Sequence, residues 1–200
     1  MKIRTALISV ALVVFLVAPV LAQSTAGDSS ALKHPGWNVG VFAGGGRSVT
    51  VTPSAGIFTA GGSLGRVLTH EHGGGIVRGT FELGVEAMPA YMFFSEGRSF
   101  YGAAFTPLLA KWNFTNGKRI MPYFEAAGTV ILTADNFPAG DTATTNFASG
   151  AGIGMHIFTR PKQAVKLDVR AVHISNASIG NHNPGVNAAL VFNIGYTWFK

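Results

Sequence analysis

"IVRGTFELGVEAMPAYMFF", residues 76–94, is the stretch whose reading decides the fold. Arg78, Thr80, Glu82, Gly84 and Glu86 fall on one side of a period-two pattern, and Val77, Phe81, Leu83, Val85 and Ala87 on the other. Period two is the signature of a strand, and no i, i+3, i+4 apolar repeat competes with it. The charges sit in mid-strand. A soluble sandwich turns its apolar face inward and solvates the charged one, whereas a membrane barrel puts lipid outside and polar groups inside.

The pattern recurs. Tyr123, Glu125 and Thr129 oppose Phe124, Val130 and Leu132; Lys166, Asp168 and Arg170 oppose Leu167, Val169 and Ala171. Near the end of the sequence Leu190, Phe192, Ile194, Tyr196 and Trp198 make one unbroken apolar face, finishing in the aromatics that favour a membrane interface. Eight segments have strand character: Trp37–Gly46, Ile57–Thr69, Ile76–Phe94, Phe100–Phe114, Ile120–Thr133, Thr145–Thr159, Ala164–Ser175 and Val186–Phe199. Turn signals such as "GGGRSV", "HEHGGG", "SEGRS", "TNGKR" and "TRPKQ" separate them. The expected fold is all-β, an eight-stranded antiparallel transmembrane β-barrel over residues 37–200. A barrel of eight strands has an interior just wide enough to be filled by side chains. Arg78, Glu82, Glu86, Glu125, Asp168 and Arg170 are therefore expected to form a lumenal ion-pair network, and the barrel is not expected to be a pore.

Composition agrees. The 200 residues are 48% hydrophobic and 12% charged, about half the charge of an ordinary soluble domain. The absence of Cys excludes disulfides and thiolate chemistry. The formal net charge of +6 comes from scattered Lys and Arg, without the basic stripe and interleaved aromatics of a nucleic-acid binder. A soluble secreted lipid-binding barrel would need its apolar faces turned inward, which the mid-strand charges oppose.

The first segment reads as an export signal. "MKIRTALISVALVVFLVAPVLAQ" carries Lys2 and Arg4, then an apolar run from Ala6 to Val17, and Val20 and Ala22 stand at −3 and −1 of a cut before Gln23. Residues 1–22 are thus expected to be a cleaved signal peptide and residues 23–36 a flexible leader. Beyond the cut no apolar run reaches the roughly 18 residues that a spanning helix needs. With both termini on the periplasmic side, "HEHGGG", "TNGKR" and "TRPKQ" are inner turns, and "ADNFPAGDTA" and "NASIGNHNPG" are outer loops. The expected location is the bacterial outer membrane.

One stretch carries chemistry: "AVHISNASIGNHNPGVN", residues 171–187. His173 and Ser175 share the face of Leu167, Val169 and Ala171, which the barrel turns toward lipid near the outer leaflet. Polar groups on such a strip are costly as mere structure, and they make sense where the substrate is itself a lipid. An imidazole that takes the hydroxyl proton makes a serine nucleophilic. Asn176 and the backbone N–H groups of the following loop could bind an oxyanion.

"HISN" followed by "NPG", on the penultimate strand and last outer loop of such a barrel, resembles the outer-membrane lipid A 3-O-deacylase family, the PagL-like acyloxyacyl hydrolases. "KWNF", "PYFEAAG", "LDVRAVHISN" and "GYTWFK" extend the likeness over nearly all of the exported chain. The resemblance implies a lipid-facing His–Ser–Glu triad that cleaves an ester-linked 3-hydroxyacyl chain from lipid A. On the matching positions Ser175 is the nucleophile, His173 the general base and Asn176 an oxyanion donor, with Asn183 and Gly185 in the loop that shapes the site. The acidic third member falls fourteen residues after the histidine, where this sequence has Asn187. In the serine-protease triad the change from Asp to Asn costs about 10⁴ in turnover. Strict alternation also puts Asn187 opposite Leu190 and Phe192, off the lipid face. Either a bulge follows Gly185 or the triad is incomplete.

The expected function is accordingly a lipid A deacylase-like serine esterase acting on lipopolysaccharide, the alternative being a catalytically inactive barrel with a structural or adhesion role. The partners expected are lipid A and the outer membrane; a homodimer stays open. No cofactor or metal is expected. His70 and His72 in "THEH" lack a third ligand in sequence reach and read as solvated. "GGGRS" and "GGGIV" resemble phosphate loops, but no helix follows either. His182 is a candidate for contact with lipid phosphates.

Overall fold

The computed structural model describes residues 29–49 and 54–200. The segment read as a signal peptide lies outside them. A short 3-10 helix, Ser29–Leu32, precedes nine strands: β1 (Gly36–Ser48), β2 (Ala55–Val67), β3 (Gly79–Ser95), β4 (Arg98–Phe100), β5 (Gly102–Phe114), β6 (Ile120–Phe137), β7 (Ala143–Arg160), β8 (Gln163–Ser175) and β9 (Val186–Phe199). β4 and β5 follow one another along a single stave interrupted at Tyr101, so the barrel has eight staves. Each stave pairs antiparallel with its neighbours in sequence, and β1 pairs with β9, which closes the sheet. Closure leaves no unpaired strand edge among the described residues, the condition a sheet must meet to cross a bilayer.

Side chains sort as the alternation requires. Phe124, Ile153, Phe192 and Leu132 point outward and are exposed. Glu82, Glu86, Glu125, Asp168 and Arg170 point inward and are buried. Arg170 lies at the centre of the lumen. Its Nη1 and Nη2 donate to Glu86 at 2.6 and 2.7 Å, and its Nε donates to Glu125 at 2.5 Å. Lys166 lies 3.2 Å from Asp168 and 3.7 Å from Glu86. Asn193 and Tyr123 also donate to Asp168. Tyr123 has room for its ring because a Cβ at position 154, where the chain has glycine, would lie 2.4 Å from it.

Two apolar layers enclose this polar band. Phe93, Phe100, Phe137, Ile174 and Val186 pack at one end, with Phe93 and Phe137 stacked 3.8 Å apart. Leu32, Val67, Met121, Phe158 and Phe199 pack at the end that holds the termini. The interior is filled: the cavity beside Arg170 and Asn193 is about 30 Å³, room for little more than a water.

The structure departs from the sequence reading at Arg78 and in the leader. Arg78 is not in the lumen; β3 starts at Gly79, Gly75–Val77 form a 3-10 turn, and Arg78 pairs at 2.9 Å with Glu71 at the rim. The lumenal partner of Glu82 is Lys111 at 3.4 Å, with Asn38 and Asn113 donating to the same carboxylate. Within the leader expected over residues 23–36, Ser29–Leu32 form a 3-10 turn, Leu32 is fully buried, and its carbonyl accepts a bond from Thr80 Oγ1 at 2.8 Å. Connection length does not distinguish the two ends: residues 68–78 join β2 to β3 at the terminus end and residues 176–185 join β8 to β9 at the other.

Candidate active site

His173 and Ser175 occupy the last turn of alternation in β8, at the end of the barrel away from the termini. His173 is exposed on the outer wall and Ser175 is half-buried there, while Ile174 between them is fully buried and packs on Val186 inside. Burial of a side chain such as Ile174 is worth roughly 1.5–3 kcal/mol, so the strand that carries both polar groups is anchored from within.

Asn187 is on the same wall. Val172 pairs with Ala189 and Ile174 with Val186, so Asn187 and Ala188 together face His173 alone. Two residues against one is a β-bulge, and it reverses the alternation on one side of it. Val186 and Ala189 point inward, and Asn187 turns out to the lipid face. Of the two outcomes open from sequence, the bulge is the one realised. Its consequence is specific: His173 Nδ1 lies 3.1 Å from the main-chain carbonyl of Asn187, not from its side chain. A carbonyl only accepts, so Nδ1 carries the proton and Nε2 is left with a free lone pair.

Gly185 sets up the bulge. Its φ is +54°, in the left-handed region, and a Cβ there would lie 2.5 Å from the Ile174 carbonyl. Only glycine meets both conditions.

The following loop is built on Asn176, which is 2% exposed. Its amide donates to the His182 carbonyl at 2.7 Å, its side-chain oxygen accepts Ser178 N–H at 3.0 Å, and its own N–H donates to Asn183 Oδ1 at 3.0 Å. Ile179 N–H closes the turn onto the Asn176 carbonyl at 3.0 Å, with Ala177 and Ser178 both at positive φ. Asn176 and Asn183 therefore hold the loop together rather than projecting onto the wall. Within residues 176–179 the N–H groups of 176, 178 and 179 are engaged, and that of Ala177 has no hydrogen-bond partner among the described residues.

Long-range register brings in neighbours that sequence reading missed. Ser149 pairs with His173 and Phe147 with Ser175 across β7, and both point outward. Asp141, from the loop joining β6 to β7, accepts His182 N–H at 3.0 Å on its carbonyl and Asn181 Nδ2 at 2.9 Å on its carboxylate. The backbone of His182 is thus tied to a neighbouring loop, and its side chain is exposed. A spacing of many tens of residues carries no local signal for any of these contacts.

At the other end, His70 and His72 are exposed, as read from sequence. His70 Nδ1 lies 3.5 Å from Nδ1 of His34, and His72 Nδ1 lies 3.0 Å from the His70 carbonyl. No group of three or more metal-ligating side chains forms among the described residues. Beside them, the Thr115 hydroxyl donates to Glu71 and, against slight burial, holds its carboxyl below the ordinary range, with help from Arg78, Lys33 and His34.

A closed eight-stave barrel with an apolar exterior and a polar, filled interior is the architecture of an outer-membrane protein, and the solved structures bear this out. The barrel is similar to the outer-membrane enzyme PagL, with 19% identity, a TM-score of 0.56, and 80% of this chain and 98% of that one covered. It is also similar to Neisserial surface protein A, at 15% identity and a TM-score of 0.56 over 81% and 96% of the two chains. The N-terminal barrel domain of Pseudomonas aeruginosa OprF matches at 15% identity and a TM-score of 0.53, over 84% and 100%. At these identities the likeness is one of fold. Sequence gives the family: the model of lipid A 3-O-deacylase (PagL) matches residues 68–197, and the chain belongs to that family. No match is found among curated protein sequences.

Proposed function

We propose that the chain is a serine-type lipid A 3-O-deacylase that works on the outer leaflet from its lipid-facing wall. The observation that carries the reading is the contact of His173 Nδ1 with the Asn187 carbonyl, which fixes the tautomer a general base needs on a wall that otherwise meets hydrocarbon. His173 Nε2 takes the proton of Ser175 as Oγ attacks the ester carbonyl of the acyl chain. The tetrahedral oxyanion is met by the Ala177 N–H, in the role first assigned to the Asn176 side chain. The ester C–O bond then breaks, and Nε2–H gives its proton to the departing sugar oxygen. Water, deprotonated by Nε2, attacks the acyl-serine; the ester bond to Oγ breaks, Nε2–H returns its proton to Ser175 Oγ, and a fatty acid is released. Asn183 and Gly185 support the loop and the bulge.

The proposal includes export with removal of residues 1–22, and an orientation that puts the loop 176–185 outside the cell. Homodimerisation, left open by sequence, finds no support in the family or the fold. A second reading, an inactive barrel with a structural or adhesion role, is favoured by one observation: position 187 has no carboxylate. A long-chain fluorophosphonate separates the two. Covalent labelling of folded protein that disappears in Ser175→Ala and in His173→Ala supports the esterase; a folded barrel that takes no label supports the second reading.

A further inference from the structure

The charges that lie outside the lumen are sorted by end. At the terminus end, among the described residues, the connections and adjoining strand ends carry Arg66, Arg78, Lys118, Arg119, Arg160 and Lys162 against a single side-chain carboxylate, Glu71. At the opposite end, among the described residues, Arg47 and Arg98 face Glu96, Asp135 and Asp141. The net positive charge of the described residues is therefore concentrated on one rim. The lumen adds no positive charge, because Lys111, Lys166 and Arg170 are outnumbered there by Glu82, Glu86, Glu125 and Asp168.

The basic rim coincides with an aromatic belt. Trp37, Tyr196 and Trp198 sit on the outer wall at that level, and Trp112 lies beside His72 at the same end. Trp and Tyr mark the level of the headgroups. Arg66 pairs with Trp37 in register and holds its guanidinium 5.1 Å from the centre of the indole ring. This cation is at headgroup depth on the outside of the wall, not above it in the aqueous space. That placement selects a lipid partner over a soluble polyanion.

We infer that the terminus-side rim is a docking surface for anionic phospholipid headgroups, phosphatidylglycerol being the simplest representative. A cation close to an anionic lipid surface contributes enough to enrich such lipids about fivefold over zwitterionic ones. Uneven loading of the two rims would also fix the barrel's depth and direction in an asymmetric membrane, independently of any chemistry at His173.

All three tryptophans, Trp37, Trp112 and Trp198, lie at this rim, so tryptophan fluorescence, excited selectively over tyrosine, reports on it alone. The test uses the full barrel folded in phosphatidylcholine vesicles with a minority of phosphatidylglycerol. Bromine is placed on the acyl chains of one lipid or of the other, at constant overall composition. Quenching by brominated phosphatidylglycerol should exceed quenching by brominated phosphatidylcholine at equal mole fraction. The excess should shrink as salt is raised and in Lys118→Gln/Arg160→Gln/Lys162→Gln. Arg47→Gln/Arg98→Gln at the other rim should leave it unchanged. Equal quenching by the two lipids at low salt overturns the inference, whatever else the rim binds, an acidic polymer included. So does an excess that salt does not reduce, a reading that stands even if the triple variant fails to fold.

Discussion

His173 is held by the backbone of Asn187: Nδ1–H reaches the main-chain carbonyl at 3.1 Å across a β-bulge, and the asparagine side chain is not the partner. A position that reads in sequence as a lost carboxylate thus keeps half of what a carboxylate does. It orients the ring and sets the tautomer; it does not supply a negative charge to the imidazolium.

This division predicts a pattern of activities. Asn187→Ala should lower turnover by only a few fold, because the carbonyl remains, far less than the ~10⁴ lost when a triad carboxylate is replaced and the tautomer goes wrong. Asn187→Glu should raise turnover by about tenfold or more by placing charge beside the imidazolium. Gly185→Ala, which drives a Cβ into the Ile174 carbonyl, should cost more than Asn187→Ala although it touches neither polar group. Kinetics on one ester substrate in detergent checks all three; a severe loss in Asn187→Ala alone would assign the role to the side chain.

The loop makes a second prediction. Asn176→Ala removes its side-chain bonds to His182 and Ser178, and Asp141→Ala removes the carboxylate that accepts Asn181. Both should speed proteolysis within residues 176–185 and reduce activity, with Asn176→Ala the more severe. The barrel itself should keep its heat-modifiable migration on gels. Unaltered cleavage in both variants would mean that the loop is ordered by other contacts.

Arg170 is the keystone of the lumen. Arg170→Met takes from Glu125 its cation and leaves Glu86 only the longer contact with Lys166 at 3.7 Å, and loss of one member of such a network costs about 3–5 kcal/mol. Urea unfolding in vesicles should register this loss, and the added change Glu86→Gln should recover part of it. A loss no larger than that of a surface substitution would show that water reaches these groups.

The rim supplies a pH prediction. The Glu71 carboxyl is held below its ordinary value, by the Thr115 hydroxyl first and then by Arg78. A depressed carboxylate stabilises the fold above its unfolded-state value, and this contribution is lost as pH falls through the lowered folded-state value. Hydrogen exchange in residues 68–78 should therefore become less protected, relative to the strands, on acidification below the ordinary carboxylate range. In Glu71→Gln the protection should be lower at neutral pH and no longer depend on pH. Equal pH dependence in both proteins would assign the effect elsewhere.

The sidedness of the wall was legible because mid-strand Glu82, Glu125 and Asp168 alternate with aliphatics, and a strand has only two faces. Lys111 in "LLAKWNF" carries the same signal and was readable by the same rule. The bulge was not. Val186 and Asn187 differ in no way that marks where alternation reverses; only Gly185, through its φ, hints at it, and that angle is a property of the fold. Arg78 misled for a related reason: alternation continues in the letters past the point where the chain leaves the sheet for a 3-10 turn. Ser149 and Asp141 belong to the surroundings of the site through register alone, and register depends on all the turns between.

The central claim is tested most directly by mass spectrometry of lipid A from cells that express the chain, beside cells that express Ser175→Ala. The account predicts that lipid A loses one 3-hydroxyacyl chain, and that Ser175→Ala, folded in the outer membrane, leaves it intact. Unchanged lipid A with the folded wild-type barrel in the outer membrane would contradict the account and leave the inactive barrel as the reading.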